Sequence, residues 1–229
     1  MKGFNIFLLG RPGCGKSEIF RRLAEKFKSE NIYDDFVRVD DFPKLWAIFQ
    51  DDEKTGRWAH CRKTPDGGYK VTDGGIWNDI LKQVNGDVLS LQKDGRVVFI
   101  EFSRPNYIES LKNFSDEILK NSVMVYVSCS FETCWSRNVA RHESAVAKGT
   151  DDHLVSREEM EKTYLHDDSD ALFELLKAGQ FSKSGGTALL QALKIPVLDV
   201  NTDSPGTDHL VPKIERIFGE IKKVFEGRK

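Results

Sequence analysis

The sequence contains no hydrophobic run of transmembrane length and only a few cysteines among its 229 residues. The spacing of Cys14, Cys61, Cys129 and Cys134 matches no zinc site and indicates no disulfide framework. The 34 basic and 36 acidic residues give a net charge of −2, so the chain as a whole is not drawn to nucleic acid or to an anionic membrane. Because its first residues enter an apolar segment directly, we expect no signal peptide and a cytoplasmic protein with reduced thiols.

The segment Gly10–Ser17 says more about the function of the protein than any other part of the sequence. It follows the apolar run Phe4–Leu9 and precedes an amphipathic stretch that begins at Glu18. In this strand–loop–helix setting, G-x-x-x-x-G-K-S binds the phosphates of a nucleoside triphosphate through backbone N–H groups and the positive end of the helix. Lys16 is expected to reach the β- and γ-phosphates, and the hydroxyl of Ser17 to hold Mg²⁺.

Apolar runs alternate with amphipathic stretches along the rest of the chain, which predicts an α/β fold with a five-stranded parallel sheet and helices on both faces. The predicted strands are Phe4–Leu9, Phe36–Asp40, Val97–Phe102, Val123–Ser128 and Val197–Val200. The predicted helices are Lys16–Ser29, Lys44–Phe49, Ile76–Gln83, Tyr107–Asn121, Phe131–His142, Arg157–Tyr164, Ser169–Gly179 and Thr207–Phe225. We expect one domain over residues 1–229.

Two polar segments interrupt this alternation. Asp51–Gly75 contains a turn-rich centre and predicts a hairpin in which Trp58–Lys63 pairs with Tyr69–Thr72. Glu143–Ser156 is polar and lies between two helical patterns, so we expect a mobile surface connection there.

A triphosphate site serves several classes of protein. A GTPase would carry N-K-x-D after a late strand, but this chain has Asn201-Thr202-Asp203 there, and signature segments of motor or transporter ATPases are missing. A small-molecule or nucleotide kinase has about this size, with an acceptor subdomain after the second strand and an arginine-rich lid after the fourth. We therefore expect an acceptor-side insertion over 44–90 and a lid over 137–165. An ATP-binding sensor or regulatory NTPase with slow hydrolysis is the alternative.

Gly10–Ser17 resembles the phosphate loop of the adenylate-kinase-like superfamily of P-loop kinases. Phe131–Arg141 is similar to the helix that leads into the lid of those kinases, and Val155–Tyr164 to a segment after the lid in polynucleotide-kinase-like and zeta-toxin-like members. Pro196–Asp203 looks like their last strand and adenine-side loop, whereas Asp51–Val88 matches nothing that we can place. The resemblance implies the three-layer P-loop fold, with ATP and Mg²⁺ as cofactors. The residues expected to bind the nucleotide are Gly10, Arg11, Pro12, Gly13, Cys14, Gly15, Lys16, Ser17, Glu18, Asn201 and Thr202.

Three acidic residues end predicted strands on the side of the phosphate loop. In polynucleotide-kinase-like relatives an acid at the end of the second strand is the catalytic base, which the resemblance assigns to Asp40, with Asp41 as the alternate. Asp41 also precedes Phe42-Pro43 and could instead cap a helix. Glu101 ends the next strand, where a carboxylate supports Mg²⁺, although a simple strand-end charge is the other interpretation.

Three arginines are candidates for binding phosphate or acceptor. Arg104 could hold an acceptor or the transferring phosphate, or form an ion pair with Glu101. Arg137 and Arg141 share one helix face, and the resemblance implies that they close over the ATP phosphates; the alternative is a solvated face. Cys14 could be an oxidation-sensitive thiolate or simply a small side chain.

The sequence leaves the acceptor open among small molecules, nucleosides and nucleotides. Trp46, Trp58 and Trp77 cluster around the unplaced insertion and could stack on a planar acceptor or pack in a core. A nucleic-acid end is conceivable from their basic neighbours, but the signal is weak. We expect no membrane partner and make no prediction of oligomeric state.

Overall fold

The computed structural model describes residues 3–149, 154–182 and 195–226. The strands are β1 (Phe4–Leu9), β2 (Asp35–Asp40), β3 (Cys61–Lys63), β4 (Tyr69–Val71), β5 (Arg96–Phe102), β6 (Ser122–Ser128) and β7 (Val197–Asn201). The α-helices are α1 (Lys16–Ser29), α2 (Phe42–Thr55), α3 (Ile76–Leu91), α4 (Tyr107–Leu111), α5 (Asp116–Lys120), α6 (Phe131–Ala147), α7 (Arg157–Thr163), α8 (Ser169–Lys177) and α9 (Val211–Glu226). Within these described residues, no helix is both long and apolar enough to cross a membrane.

Five parallel strands form the central sheet in the order β2-β5-β1-β6-β7. All five strands predicted from the sequence are present, with ends that differ by at most one residue. The central strand β1 is buried along its whole length, as expected for a strand covered on both faces. Because β5 and β6 lie on opposite sides of β1, a crevice opens beyond its carboxyl end, and the Gly10–Ser17 loop lies there.

Helices cover both faces of the sheet, so the predicted three-layer α/β fold is confirmed. Alternate residues of β1 enter different cores because successive side chains of a strand point to opposite faces. Phe4 packs with Phe27 of α1, which in turn meets Phe218 of α9 at 5.0 Å between ring centroids. Phe7 faces the other core, where it meets Phe114 at 5.0 Å.

Several predicted helix boundaries are wrong. The single helix expected over Tyr107–Asn121 is two short helices, α4 and α5, because the Ser115 hydroxyl caps α5 by accepting from the Ile118 N–H at 3.3 Å. The helices expected over Lys44–Phe49 and Ile76–Gln83 are longer. The former is α2, which takes in the start of the supposed polar insertion and ends at Gly56, whose φ of 67° terminates it.

The predicted connection Glu143–Ser156 begins inside a helix, because α6 continues to Ala147. Residues 150–153 of that connection lie outside the described residues. The helical extension keeps Ala145 buried, whereas the neighbouring Val146 is exposed. The beginning of this segment is therefore regular helix and not a loop.

The predicted hairpin is present, with β3 and β4 antiparallel and Cys61 opposite Val71. It contacts the segment that precedes α7: Tyr69 forms a bridge with Val155, and the Ser156 hydroxyl donates to the Tyr69 carbonyl at 3.1 Å. Gly68 is needed there, because a Cβ atom at this position would lie 2.7 Å from the Leu154 carbonyl oxygen. The hairpin and the segment before α7, which lie far apart in the chain, are thus in direct contact.

Candidate active site

A cleft of about 700 Å³ opens at the carboxyl end of the sheet. The phosphate loop and the ends of β2 and β5 form its floor, and the hairpin and α7 form one wall. The predicted site residues that line it are Pro12, Gly13, Gly15, Lys16, Ser17, Glu18, Asp40, Asp41, Glu101, Arg104, Arg137 and Arg141. The fold therefore brings into one cavity acids and arginines that lie far apart in the chain.

The phosphate loop is held by contacts from two distant elements. The Gly10 N–H donates to the Tyr107 hydroxyl at 2.9 Å, and the Thr202 hydroxyl donates to the Cys14 carbonyl at 2.7 Å. Gly13 has a φ of 80°, and a Cβ atom there would lie 2.3 Å from the Cys134 carbonyl oxygen. Only glycine fits this backbone, and the loop is pressed against α6.

Lys16 is buried beneath the loop, and its ammonium group forms several hydrogen bonds. Its Nζ donates to the carbonyls of Gly10 and Arg11 at 2.9 and 3.0 Å and to the Ser103 hydroxyl at 3.0 Å. Burial acts to lower the pKa of Lys16, but Cys14 and the nearby acids raise it further, and the net pKa lies above its ordinary value. The lysine therefore stays charged where the phosphates of a nucleotide would lie.

The thiol of Cys14 is fully buried, and burial raises its pKa. Burial therefore disfavours the thiolate form and favours the interpretation of Cys14 as a small side chain. The side chain lies close to the backbone of Gly10, where a Cβ atom would come within 2.8 Å of the sulfur. Cys14 is a small residue that lets the loop close on itself.

Asp40 and Glu101 lie side by side because they are register partners at the ends of β2 and β5. Arg38 bridges them, with Nη2 at 2.8 Å from Asp40 Oδ2 and 2.9 Å from Glu101 Oε2. Glu101 also lies 4.0 Å from the ammonium of Lys16. Burial is the main cause that raises the pKa of Glu101, against the effect of these two cations.

Asp41 is the N-cap residue of α2, but its side chain pairs with Arg104 and does not bond to the helix. Nη1 of Arg104 lies 2.6 Å from Asp41 Oδ2, and the Phe42 N–H at the start of the helix donates to Asp40 at 2.9 Å instead. The predicted N-cap position of Asp41 is confirmed, but its side chain forms no capping hydrogen bond, and the predicted ion pair between Arg104 and Glu101 is wrong. Burial raises the pKa of Asp41 to about 6, although Arg104 acts in the opposite direction. The guanidinium of Arg104 also stacks on Trp77 at 4.2 Å.

Arg137 lies at the nucleotide end of the cleft and is not merely solvated. It donates to the Thr202 carbonyl at 2.7 Å and to the Thr202 hydroxyl at 3.2 Å, close to Gly15. Arg141, one turn further along α6, is exposed and contacts Asn138 at 3.3 Å. Both arginines border the cleft on the side of the phosphate loop.

The other predicted nucleotide residues surround the loop. Arg11 donates to the carbonyls of Cys129 and Leu165, and Glu18 is paired with two arginines of α1. Asn201 is exposed and donates to Asp203. Gly10, Arg11, Cys14, Asn201 and Thr202 lie beside the cleft and outside its lining.

No family model matches the chain. A shikimate kinase from Clostridium botulinum (strain Alaska E43 / Type E3) is 27% identical over 167 residues, which cover 70% of this chain and 97% of that protein. The structure of a gluconokinase from Sinorhizobium meliloti 1021 has a TM-score of 0.50 and 12% identity, covering 99% of this chain and 97% of that chain. The crystal structure of APE1195 also has a TM-score of 0.50, with 19% identity and 97% coverage of both chains.

The two solved structures share the fold, and the sequence match extends over nearly all of a kinase. These comparisons bear out the resemblance to P-loop kinases. The predictions of a P-loop phosphotransferase and of a nucleotide site are thereby confirmed, with the acceptor unspecified.

Four residues in or beside this cleft are missed by the sequence analysis. Ser103 lies between Glu101 and Arg104 and could have been found from that neighbourhood, whereas Arg38 and Tyr107 carry no local signal. Glu159 belongs to the pattern S-x-x-E that opens α7, which predicts a helix cap and not a cleft residue. Their roles depend on contacts between distant parts of the chain.

Proposed function

We propose that this P-loop kinase transfers the γ-phosphoryl group of Mg²⁺-bound ATP to a hydroxyl group of a small acceptor, with Asp41 as the general base. The observation that carries the proposal is the buried Asp41, held by Arg104 on the floor of the cleft that Lys16 enters from the other side. A carboxyl group whose pKa is about 6 is ionised at neutral pH and can still accept a proton efficiently.

The residues present suit a magnesium ion. The hydroxyl of Ser17 and the carboxylates of Glu101 and Asp40 line one cleft, and hydroxyl and carboxylate oxygens are ligands that Mg²⁺ prefers. When bound, the ion neutralises charge on the phosphates. We propose Ser17 and Glu101 as its principal protein ligands, with Arg38 orienting both acids.

Phosphoryl transfer then requires positioning and charge neutralisation from the protein. Lys16, Arg137 and Arg141 surround the position of the phosphates on the side of the loop. Asp41 accepts the proton of the acceptor hydroxyl as its oxygen bonds to the γ-phosphorus and the bond to the leaving ADP oxygen breaks. Asp40 is engaged by Arg38 and by the Phe42 N–H, which favours a supporting role over that of base.

We propose one domain over 1–229 in which 44–90 forms the acceptor side and 137–165 the lid. The acceptor-side region supplies Leu45, Phe49, Tyr69 and Trp77 to the cleft, and the lid supplies Arg137, Arg141, Leu154, Val155, Glu159 and Tyr164. A cytoplasmic location is part of the proposal, because ATP is the donor and all four cysteines are free thiols.

Acceptor-stimulated release of ADP tests the proposal against the alternative of a slow sensor NTPase. The kinase predicts that a panel of hydroxyl compounds contains members that raise ADP release together with formation of a phosphorylated product. Asp41→Asn should abolish the stimulation while ATP still binds. A protein that binds ATP but is stimulated by no acceptor would be the sensor.

A further inference from the structure

The acceptor side of the cleft has no spare positive charge among its described residues. Its two arginines already face carboxylates: Arg38 contacts Asp40 and Glu101, and Arg104 contacts Asp41. A carboxylate or phosphate on the acceptor would therefore meet more negative than positive charge, and a buried ion without a partner is costly.

Glu159 adds a further carboxylate to this wall, in an orientation that the sequence does not predict. In a Ser-x-x-Glu capping box, the glutamate reaches back to the N–H of the serine. The first half of the box is present, because the Ser156 hydroxyl accepts from the Glu159 N–H at 3.1 Å. The carboxylate turns instead toward the hairpin, where its Oε2 accepts from the Val71 N–H at 3.2 Å and lies 3.4 Å from Lys70 Nζ.

The other oxygen of this carboxylate, Oε1, is buried and has no hydrogen-bond partner within the described part of the chain, although Glu159 is only 4% exposed and lines the cleft. Arg104 is the complementary donor: it is 2% exposed, and its Nε and Nη2 find no hydrogen-bond acceptor among the residues that the structure describes. Buried polar groups in native proteins are almost always hydrogen-bonded. These unpaired atoms call for a ligand that offers one hydrogen-bond donor and one acceptor.

The space between these polar groups is bordered by apolar surface. The side chains of Phe42, Leu45, Phe49, Tyr69 and Trp77 line the same cleft. Aromatic walls with a few convergent polar groups suit a compact ring compound. The faces of such a ring would pack on the apolar surface, and its polar edge would form hydrogen bonds with the polar groups.

Building on the proposed kinase activity, we infer that the acceptor is an uncharged, hydroxyl-bearing ring compound whose hydrogen-bond donor is held by Glu159 and whose hydrogen-bond acceptor is held by Arg104. Nucleosides have this chemistry, with a donor–acceptor edge and free hydroxyl groups. Phosphorylated or carboxylated acceptors do not. Glu159 is then a specificity-determining residue contributed by the lid to the acceptor side.

The charge of the acceptor can be tested without knowing its identity. A small-molecule cell extract is separated by ion exchange into anionic, cationic and uncharged fractions, and each is incubated with the full-length protein, Mg²⁺ and γ-labelled ATP. Common nucleosides and their 5′-monophosphates serve as defined probes. We expect labelled product from the uncharged fraction.

Label that forms from the anionic or the cationic fraction would overturn the inference and leave the kinase activity standing. Label in none of the three fractions would instead refute the proposed function. The two failures are therefore distinguishable.

A matched pair of variants tests the role of Glu159. Glu159→Gln keeps a carbonyl oxygen for the Val71 N–H but offers an amide in place of one carboxylate oxygen. We expect KM for the acceptor purified from the active fraction to rise by about tenfold or more, while kcat and KM for ATP change less than about twofold. Glu158→Gln is the control, because that side chain lies on the same helix, is only half-buried and pairs with Arg62 away from the cleft lining; its KM values should not change. An unaltered acceptor KM in a folded Glu159→Gln protein would contradict the assignment.

Discussion

The pH dependence of stability tests whether burial or the charge of Arg104 has the larger effect on the pKa of Asp41. Asp41 is only 7% exposed, and its carboxylate lies 2.6 Å from a guanidinium nitrogen. Ion pairing alone would lower the pKa of Asp41, but burial outweighs it and raises the pKa from 3.8 to about 6. Burial therefore makes the ionised carboxylate less stable in the folded protein than in the unfolded chain, even though Arg104 is paired with it.

The sign and size of the effect follow from proton linkage. Because the folded state holds the proton more tightly than the unfolded state, Asp41 contributes stability that is present below its unfolded pKa and lost as the pH rises through about 6. The difference between 3.8 and about 6 corresponds to about 3 kcal/mol, at about 1.4 kcal/mol per pH unit. Asn at this position does not titrate and should remove this contribution.

Urea unfolding of the wild type and of Asp41→Asn, measured at intervals from about pH 4 to 7, isolates the contribution of this one carboxyl group. Other titrating groups are common to both proteins, so they largely cancel in the difference between the two free energies of unfolding. We expect the wild type to lose about 2 kcal/mol of the full ~3 kcal/mol relative to the variant across this interval, because the unfolded carboxyl group is already more than half ionised at about pH 4. A difference that is flat, or in which the wild type gains stability as the pH rises, would show that Arg104 outweighs burial.

Three further substitutions test other parts of the site. Lys16→Ala should lower kcat by about two to four orders of magnitude in a steady-state kinase assay, because it removes a buried cation from the phosphate site. Tyr107→Phe should lower the free energy of unfolding by about 1–3 kcal/mol in urea titrations, because it leaves the N–H of Gly10 without its partner; an unchanged value would contradict the role of the hydroxyl. Gly68→Ala should separate the hairpin from the lid and raise the acceptor KM, whereas Gly86→Ala, which has open space around its Cβ, should leave it unchanged.

The helix that divides into α4 and α5 shows where a closer interpretation of the sequence would have succeeded. Ser115 is followed by Asp116 and Glu117, which is a good start for a new helix. The signal is local and could have been used. The side-chain cap of α2 is a different case, because Asp40 and Asp41 are both acceptable caps by residue type, and only the position of Arg104 decides which of them bonds to the helix.

The sequence by itself determined the sheet, the phosphate loop and the likeness to kinases, because each of these follows from a pattern of residues that are close together in the chain. β1 is a continuous apolar run, and the loop pattern repeats the spacing that a phosphate requires of glycine and lysine. Such signals depend on local backbone geometry and on burial of a single segment. They can be recognised without knowing which other segments pack against them in the folded protein.

Only the tertiary structure decided how the charged residues are paired and which way Glu159 points. Arg38 and Arg104 could each have paired with several acids, and the register of β2 on β5 selects among them. Glu159 departs from its capping pattern because the hairpin places the Val71 N–H within its reach. Side-chain interactions of this kind depend on distances between residues far apart in the chain, and no local pattern encodes those distances.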